Sequence, residues 1–180
     1  MLSAHDRDRL LQLARQCLEA RVRREPVPPP ERGGGLDEWI GAFVTIHVNG
    51  ELRGCLGRLE ADRPIAETVA HLASIVADSD PRFPPVRLPE LPHTAIEISA
   101  LTAEQEIVNV LQLEVGRHGL IVEEGECRGL LLPQVALEHG WDREALLEQT
   151  CLKAGLPRDA WLRGARLFLF EAQIFGESRP

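Results

Sequence analysis

The dipeptide Asn49-Gly50 sits between two runs suited to strands, residues 42–48 and the segment that begins at Glu51. No other feature constrains the fold as much. A two-residue type I′ hairpin needs positive φ at both central positions, and Asn followed by Gly supplies it. The β-branched and aromatic side chains of Phe43, Val44, Thr45, Ile46 and Val48 suit a pleated, half-buried surface. A two-residue turn then fixes the register. Val48 pairs with Glu51, Ile46 with Arg53, Val44 with Cys55 and Ala42 with Gly57. His47, Thr45 and Phe43 pair with Leu52, Gly54 and Leu56 on the opposite face.

Helical periodicity appears on both sides of this hairpin. Ser3 with Asp6 has capping-box spacing, and Leu10, Ala14, Cys17 and Leu18 recur on one stripe, which predicts a helix over about residues 4–24. Cys17 on that stripe is expected to pack in the core. Residues 26–35 form a Pro/Gly-rich surface loop that ends the helix. Pro64 opens a second helix, with Ile65, Val69, Leu72 and Val76 on its apolar stripe. Asp80-Pro81-Arg82-Phe83-Pro84-Pro85 reads as a rigid non-helical loop. Residues 94–101 alternate as a strand, Ile96 and Ile98 facing one way and Glu97 and Ser99 the other. A second hairpin spans residues 119–132 through Gly125, followed by a short helix over 134–139. Asp142 caps a further helix closed by Gly155, and residues 165–175 form a final strand. Antiparallel hairpins interspersed with helices give an α+β fold, antiparallel sheets with flanking helices. A chain of 180 residues suits one domain, residues 1–180, with a core of its own.

Composition narrows the function. The net charge of -8 argues against a nucleic-acid partner, which calls for a basic face, and against docking on anionic membranes. No stretch approaches the ~18 apolar residues of a membrane span. The N-terminal residues are charged from His5 to Arg9 and lack the apolar core of a secretory leader. The four cysteines, Cys17, Cys55, Cys127 and Cys151, form no C-x-x-C pair and no zinc-finger spacing, so reduced thiols in the cytoplasm are expected. No phosphate loop, dinucleotide fingerprint, zincin motif or nucleophile elbow is present, so neither a cofactor nor a metal is expected.

Chemistry therefore has to come from side chains that the fold assembles. Cys55 is the first candidate, as a nucleophile or covalent handle. In the register above it shares a face with Arg53, whose guanidinium favours thiolate over thiol. Gly57 on that face leaves room near the sulfur, and Gly54 admits a partner from the opposite face. The competing reading packs Cys55 as a small residue under a helix. Glu97 is the second candidate, an acid or base if it points into a polar pocket with Ser99, and a solvent-facing residue otherwise. Asp80 and Arg82 either pair with one another or recognise a ligand. Lys153 suits a helix C-terminus. Cys151, Trp39, Trp141 and Trp161 are expected in the core or between subdomains. His47 faces away from Cys55 in this register, and His118 is an alternative base without a place.

Leu52-Arg53-Gly54-Cys55-Leu56-Gly57 resembles the L-R-G-C-I-G signature of the AMMECR family, the A component of the AmmeMemoRadiSam system. The likeness continues through residues 80–85, Ile96-Glu97-Ile98-Ser99, 119–122, Leu131-Leu132-Pro133-Gln134-Val135 and 151–156, in the family's order. Leu56 stands where the signature has isoleucine. The resemblance implies a larger and a smaller subdomain, with the signature near a cleft between them. It also implies a radical SAM protein and a Memo-like protein as possible partners. Arg53, Cys55, Asp80, Arg82, Glu97, Ser99, Gln134 and Lys153 are the matching residues with usable chemistry. Two functions stay open: a catalytic or small-molecule site around Cys55, and a non-catalytic adaptor or ligand-binding module.

Overall fold

The computed structural model describes residues 1–59 and 61–178. The described residues divide into two compact units, one formed by Met1–Leu101 with residues 173–178, the other by Thr102–Ala172.

The first unit begins with helix α1 (Ala4–Arg23), capped by the expected reciprocal Ser3 and Asp6 hydrogen bonds. Strands β1 (Ala42–Val48) and β2 (Glu51–Arg58) form the hairpin, with φ of 52° at Asn49 and 83° at Gly50, as a type I′ turn requires. Helix α2 (Ile65–Ile75) and strand β3 (Thr94–Leu101) follow. β3 pairs antiparallel with the other edge of β1, giving the order β2-β1-β3. Ala42, Val44 and Ile46 of β1, with Ile96 and Ile98 of β3, face one core with Leu10, Ala14, Cys17 and Leu18 of α1 and Val69 and Leu72 of α2. Each fully buried aliphatic side chain of this kind contributes roughly 1.5–3 kcal/mol. Cys17 is fully buried, and burial pushes its thiol up to about 11.

The hairpin register departs from expectation after two residue pairs. Val48 pairs with Glu51 and His47 with Leu52, but Ile46 then pairs with Gly54, Thr45 with Cys55, Val44 with Leu56 and Phe43 with Gly57. Arg53 is the extra residue of a β-bulge. Two non-local interactions hold it there. Arg53 donates to the Glu90 carboxylate at 2.9 Å and to the carbonyls of Pro84 at 2.6 Å and Pro85 at 3.2 Å. Gly54 lies under the end of α2, where an added Cβ would stand 3.0 Å from the Val76 carbonyl oxygen. The bulge moves Cys55 and Gly57 to the face opposite α1 and α2, and His47 shares that face with Cys55 instead of turning away.

The C-terminal residues belong to this unit too. The Glu177 N–H donates to the Ile96 carbonyl at 2.9 Å, and its carboxylate accepts from the Ile96 N–H at 2.9 Å and from Arg15. Trp39, expected in a core or between subdomains, is 61% exposed. It lies in the irregular segment before β1, where no apolar stripe draws its side chain inward.

The second unit contains β4 (Gln105–Ile107), β5 (His118–Glu124), β6 (Cys127–Leu131), α3 (Pro133–His139), α4 (Arg143–Lys153) and most of β7 (Arg166–Gly176). All pairings are antiparallel, in the order β4-β7-β5-β6. Leu146, Leu147 and Cys151 of α4 pack with Leu120, Val122 and Leu167, and Trp141 and Trp161 lean on this core. Gly129 lets the end of α4 approach β6, since an added Cβ would stand 2.3 Å from the Ala154 nitrogen. Strand β4 carried no sequence signal: three residues, two of them exposed, show no period.

Candidate functional site

The bulge brings three expected and unexpected residues into one row. Thr45 pairs with Cys55 on β2 and with Glu97 on β3. Side chains at directly paired positions share a face, so Cys55, Thr45 and Glu97 line up across three adjacent strands, all half-buried. Two strand spacings put Cys55 and Glu97 about 10 Å apart at Cα. Among the described residues no hydrogen bond joins the Glu97 carboxylate to the Cys55 sulfur, whose partner is Thr45. A substrate group lying over Thr45 would touch both. The Thr45 hydroxyl donates to the Cys55 sulfur at 3.2 Å. Sequence reading missed Thr45, because the unbulged register paired it with Gly54.

A second row runs beside the first, Gly57 on β2, Phe43 on β1 and Ser99 on β3. Gly57 does not leave an empty place next to the sulfur. An added Cβ would stand 2.0 Å from the Phe43 ring, which covers the glycine. Ser99 is buried, at 3% exposure.

The Asp80–Pro85 loop explains itself through the backbone of Cys55. The Asp80 carboxylate accepts from the Cys55 N–H at 2.9 Å, and the Arg82 guanidinium reaches the Cys55 carbonyl at 3.5 Å. Cys55 therefore spends its N–H away from β1, on the outer edge of β2, where the ladder alternates between bonded and non-bonded pairs. Asp80 and Arg82 take the place of a further strand there and block edge-to-edge pairing. Arg82 Nε and Nη2 hold Asp80 at 3.0 and 2.8 Å. These bonds hold the Asp80 carboxyl well below the usual carboxylate range, against burial that pushes the other way, with the Cys55 and Arg82 N–H groups helping.

Arg53 is not the partner of the thiol. It is committed to Glu90 and to the Pro84 and Pro85 carbonyls, and its ion pair is mostly buried. Burial pushes the Glu90 carboxyl up, but the hydrogen bonds from Arg53 and Arg87 outweigh it and hold the group below its usual range. Gly54 serves the α2 contact. Arg53, Gly54, Cys55, Gly57, Asp80, Arg82, Glu97 and Ser99 thus all belong to the first unit, and Gln134 and Lys153 belong to the second. Lys153 ends α4 with an exposed side chain, where its charge opposes the negative end of the helix dipole. Gln134 lies in the first turn of α3, and its buried Oε1 has no hydrogen-bond partner among the described residues. His118 starts β5 and accepts the Glu114 N–H at Nδ1, 3.1 Å away. Among the described residues no three His, Cys, Asp or Glu side chains gather as a metal set, and no helix is long and apolar enough to cross a membrane.

Comparison with known proteins places the chain among close relatives. The family model described as AMMECR1 matches residues 11–175. A protein of Methanosarcina barkeri is 42% identical over 180 residues, covering 94% of this chain and 89% of that protein. A protein of Methanocaldococcus jannaschii is 48% identical over 154 residues, covering 81% and 77%. The crystal structure of an uncharacterized protein from Pyrococcus horikoshii superposes with a TM-score of 0.84 at 40% identity, covering 95% of this chain and 91% of that one.

Proposed function

The chain belongs to the AMMECR1 family, and from that premise we propose that its first unit carries a thiol-dependent small-molecule site centred on Cys55. One observation carries the reading: Cys55, Thr45 and Glu97 occupy paired positions on three adjacent strands. The Cys55 sulfur is the nucleophile or covalent handle. The Thr45 hydroxyl hydrogen-bonds the sulfur and fixes its direction. Glu97 serves as acid or base toward a substrate lying over Thr45. Asp80 and Arg82 hold the Cys55 backbone, and Gly57 with Phe43 and Ser99 flank the row.

The test is alkylation of the folded protein with iodoacetamide over a range of pH. Cys17 and Cys151 are buried and Cys127 is exposed, so a Cys127→Ser background isolates Cys55. A rate that inflects below the unperturbed thiol value of ~8.5 supports a reactive site. A Cys55 that stays unmodified until denaturant unfolds the protein overturns it.

A second reading, a non-catalytic adaptor or ligand-binding module whose partners are radical SAM and Memo-like proteins, is favoured by the indole of Trp39, 61% exposed on the first unit. Exposed tryptophan is a common anchor at interfaces. Co-purification at micromolar concentration, lost in Trp39→Ala, supports this reading; absence of any complex with either partner overturns it.

A further inference from the structure

The second unit holds a cavity of about 610 Å³ that none of the residues discussed for Cys55 enters. Val110, Val115, Leu147 and Trp161 supply its apolar walls. Leu147 is rooted in the core and the other three pack partly buried against it. The polar lining comes from the start of α4, residues Asp142, Arg143 and Glu144.

Arg143 stands apart from the other arginines of this unit. Arg117, Arg128, Arg158, Arg163 and Arg166 each pair with a carboxylate. Arg143 pairs with none among the described residues. Its Nε donates to the Leu113 carbonyl at 2.9 Å, which fixes the plane of the guanidinium and leaves both Nη groups without an acceptor among the described residues. Two acids flank it in sequence and neither takes it. Asp142 turns back as the N-cap and accepts the Ala145 N–H at 2.9 Å, while Glu144 is exposed. A guanidinium held at one nitrogen and open at the others is a preorganised fork for a carboxylate. The positive end of the α4 dipole adds to it.

We propose that this cavity binds a small amphipathic carboxylate, its acid group on the Arg143 Nη atoms and its aromatic or branched apolar body against Val110, Val115 and Trp161. Pockets of this size with apolar walls and one or two convergent polar groups suit small organic ligands. The site is independent of Cys55. Asp142 and Glu144 set the sharpest control, because a rim governed by their charge would select a cation.

The full-length protein is titrated with 3-phenylpropanoate, with its neutral amide and with 3-phenylpropylamine, following the indole N–H resonances by NMR. The carboxylate is expected to bind saturably in the millimolar range or tighter, with the amide and the amine each weaker by on the order of tenfold. Arg143→Gln is expected to bring the carboxylate down to the level of the amide and to leave the amide unchanged, and Cys55→Ser to change neither. Equal binding of carboxylate and amide, tighter binding of the amine, or no saturation below ~10 mM overturns the proposal. The wild-type ligand comparison decides the matter even where a variant fails to fold.

Discussion

Replacing Asp80 should destabilise the first unit far more than an ordinary surface ion pair would. Asp80 is 4% exposed, and its carboxylate accepts from the Cys55 N–H at 2.9 Å, from the Arg82 N–H at 3.1 Å and from the Arg82 guanidinium. Asp80→Ala leaves the Cys55 N–H unsatisfied at the edge of β2, at a cost of ~1–3 kcal/mol. The ion pair adds little, about 0–1 kcal/mol, because the Arg82 side chain is 56% exposed and water takes over its charge. The expected loss is about 2–3 kcal/mol, or a fall in Tm of roughly 5–10 °C for a chain of this length. Asp80→Asn keeps an oxygen acceptor for the Cys55 N–H and should lose only ~1 kcal/mol. The pH dependence separates the two contributions. Arg82 depresses the folded-state Asp80 pKa, so its charge contributes fully above the unfolded value of ~3.9 and progressively less as pH falls through the folded one. Wild type should therefore keep a constant advantage over Asp80→Asn from about pH 5 to pH 8, and that advantage should shrink below about pH 4. Urea titrations at several pH values measure all of this. If Asp80→Ala and Asp80→Asn both stay within ~0.5 kcal/mol of wild type, the edge-blocking argument is wrong.

Other substitutions probe the same framework. Gly57→Ala drives a Cβ into the Phe43 ring and should cost about 1–3 kcal/mol, read by thermal melting; an unchanged Tm would mean that the ring swings aside freely. Arg53→Ala removes the bonds to Glu90 and to the Pro84 and Pro85 carbonyls, so amide exchange in residues 84–90 should quicken before that of β1, and uniform exchange would refute a local role. Native-state alkylation should leave Cys17 unmodified, with its thiol pushed up to about 11 by burial, while Cys127 reacts at once; early labelling of Cys17 would contradict the packing of the apolar face of α1 into the core.

Most elements were legible because their signals are local. The Ser3 and Asp6 box, the apolar stripes of α1 and α2, the Asp142 cap and the alternation of Thr94–Leu101 each lie within a few residues of the structure that they specify. Strand β4 and the exposure of Trp39 were not, since a three-residue strand shows no period and an aromatic side chain without a stripe has no direction. Thr45 escaped notice for a different reason: its neighbours depend on a register that the turn alone does not hold.

The hairpin marks that division most clearly. Asn49-Gly50 by itself determined that residues 42–58 fold back on themselves, because few dipeptides accept positive φ twice. Which side chains then share a face was decided only in three dimensions. Pro84, Pro85 and Glu90, more than thirty residues along the chain, draw Arg53 out of the ladder, and the end of α2 settles on Gly54. A strand has a period of two, so one extra residue sends everything beyond it to the other face. That single step carries Cys55 from Val44 to Thr45, and so into line with Glu97.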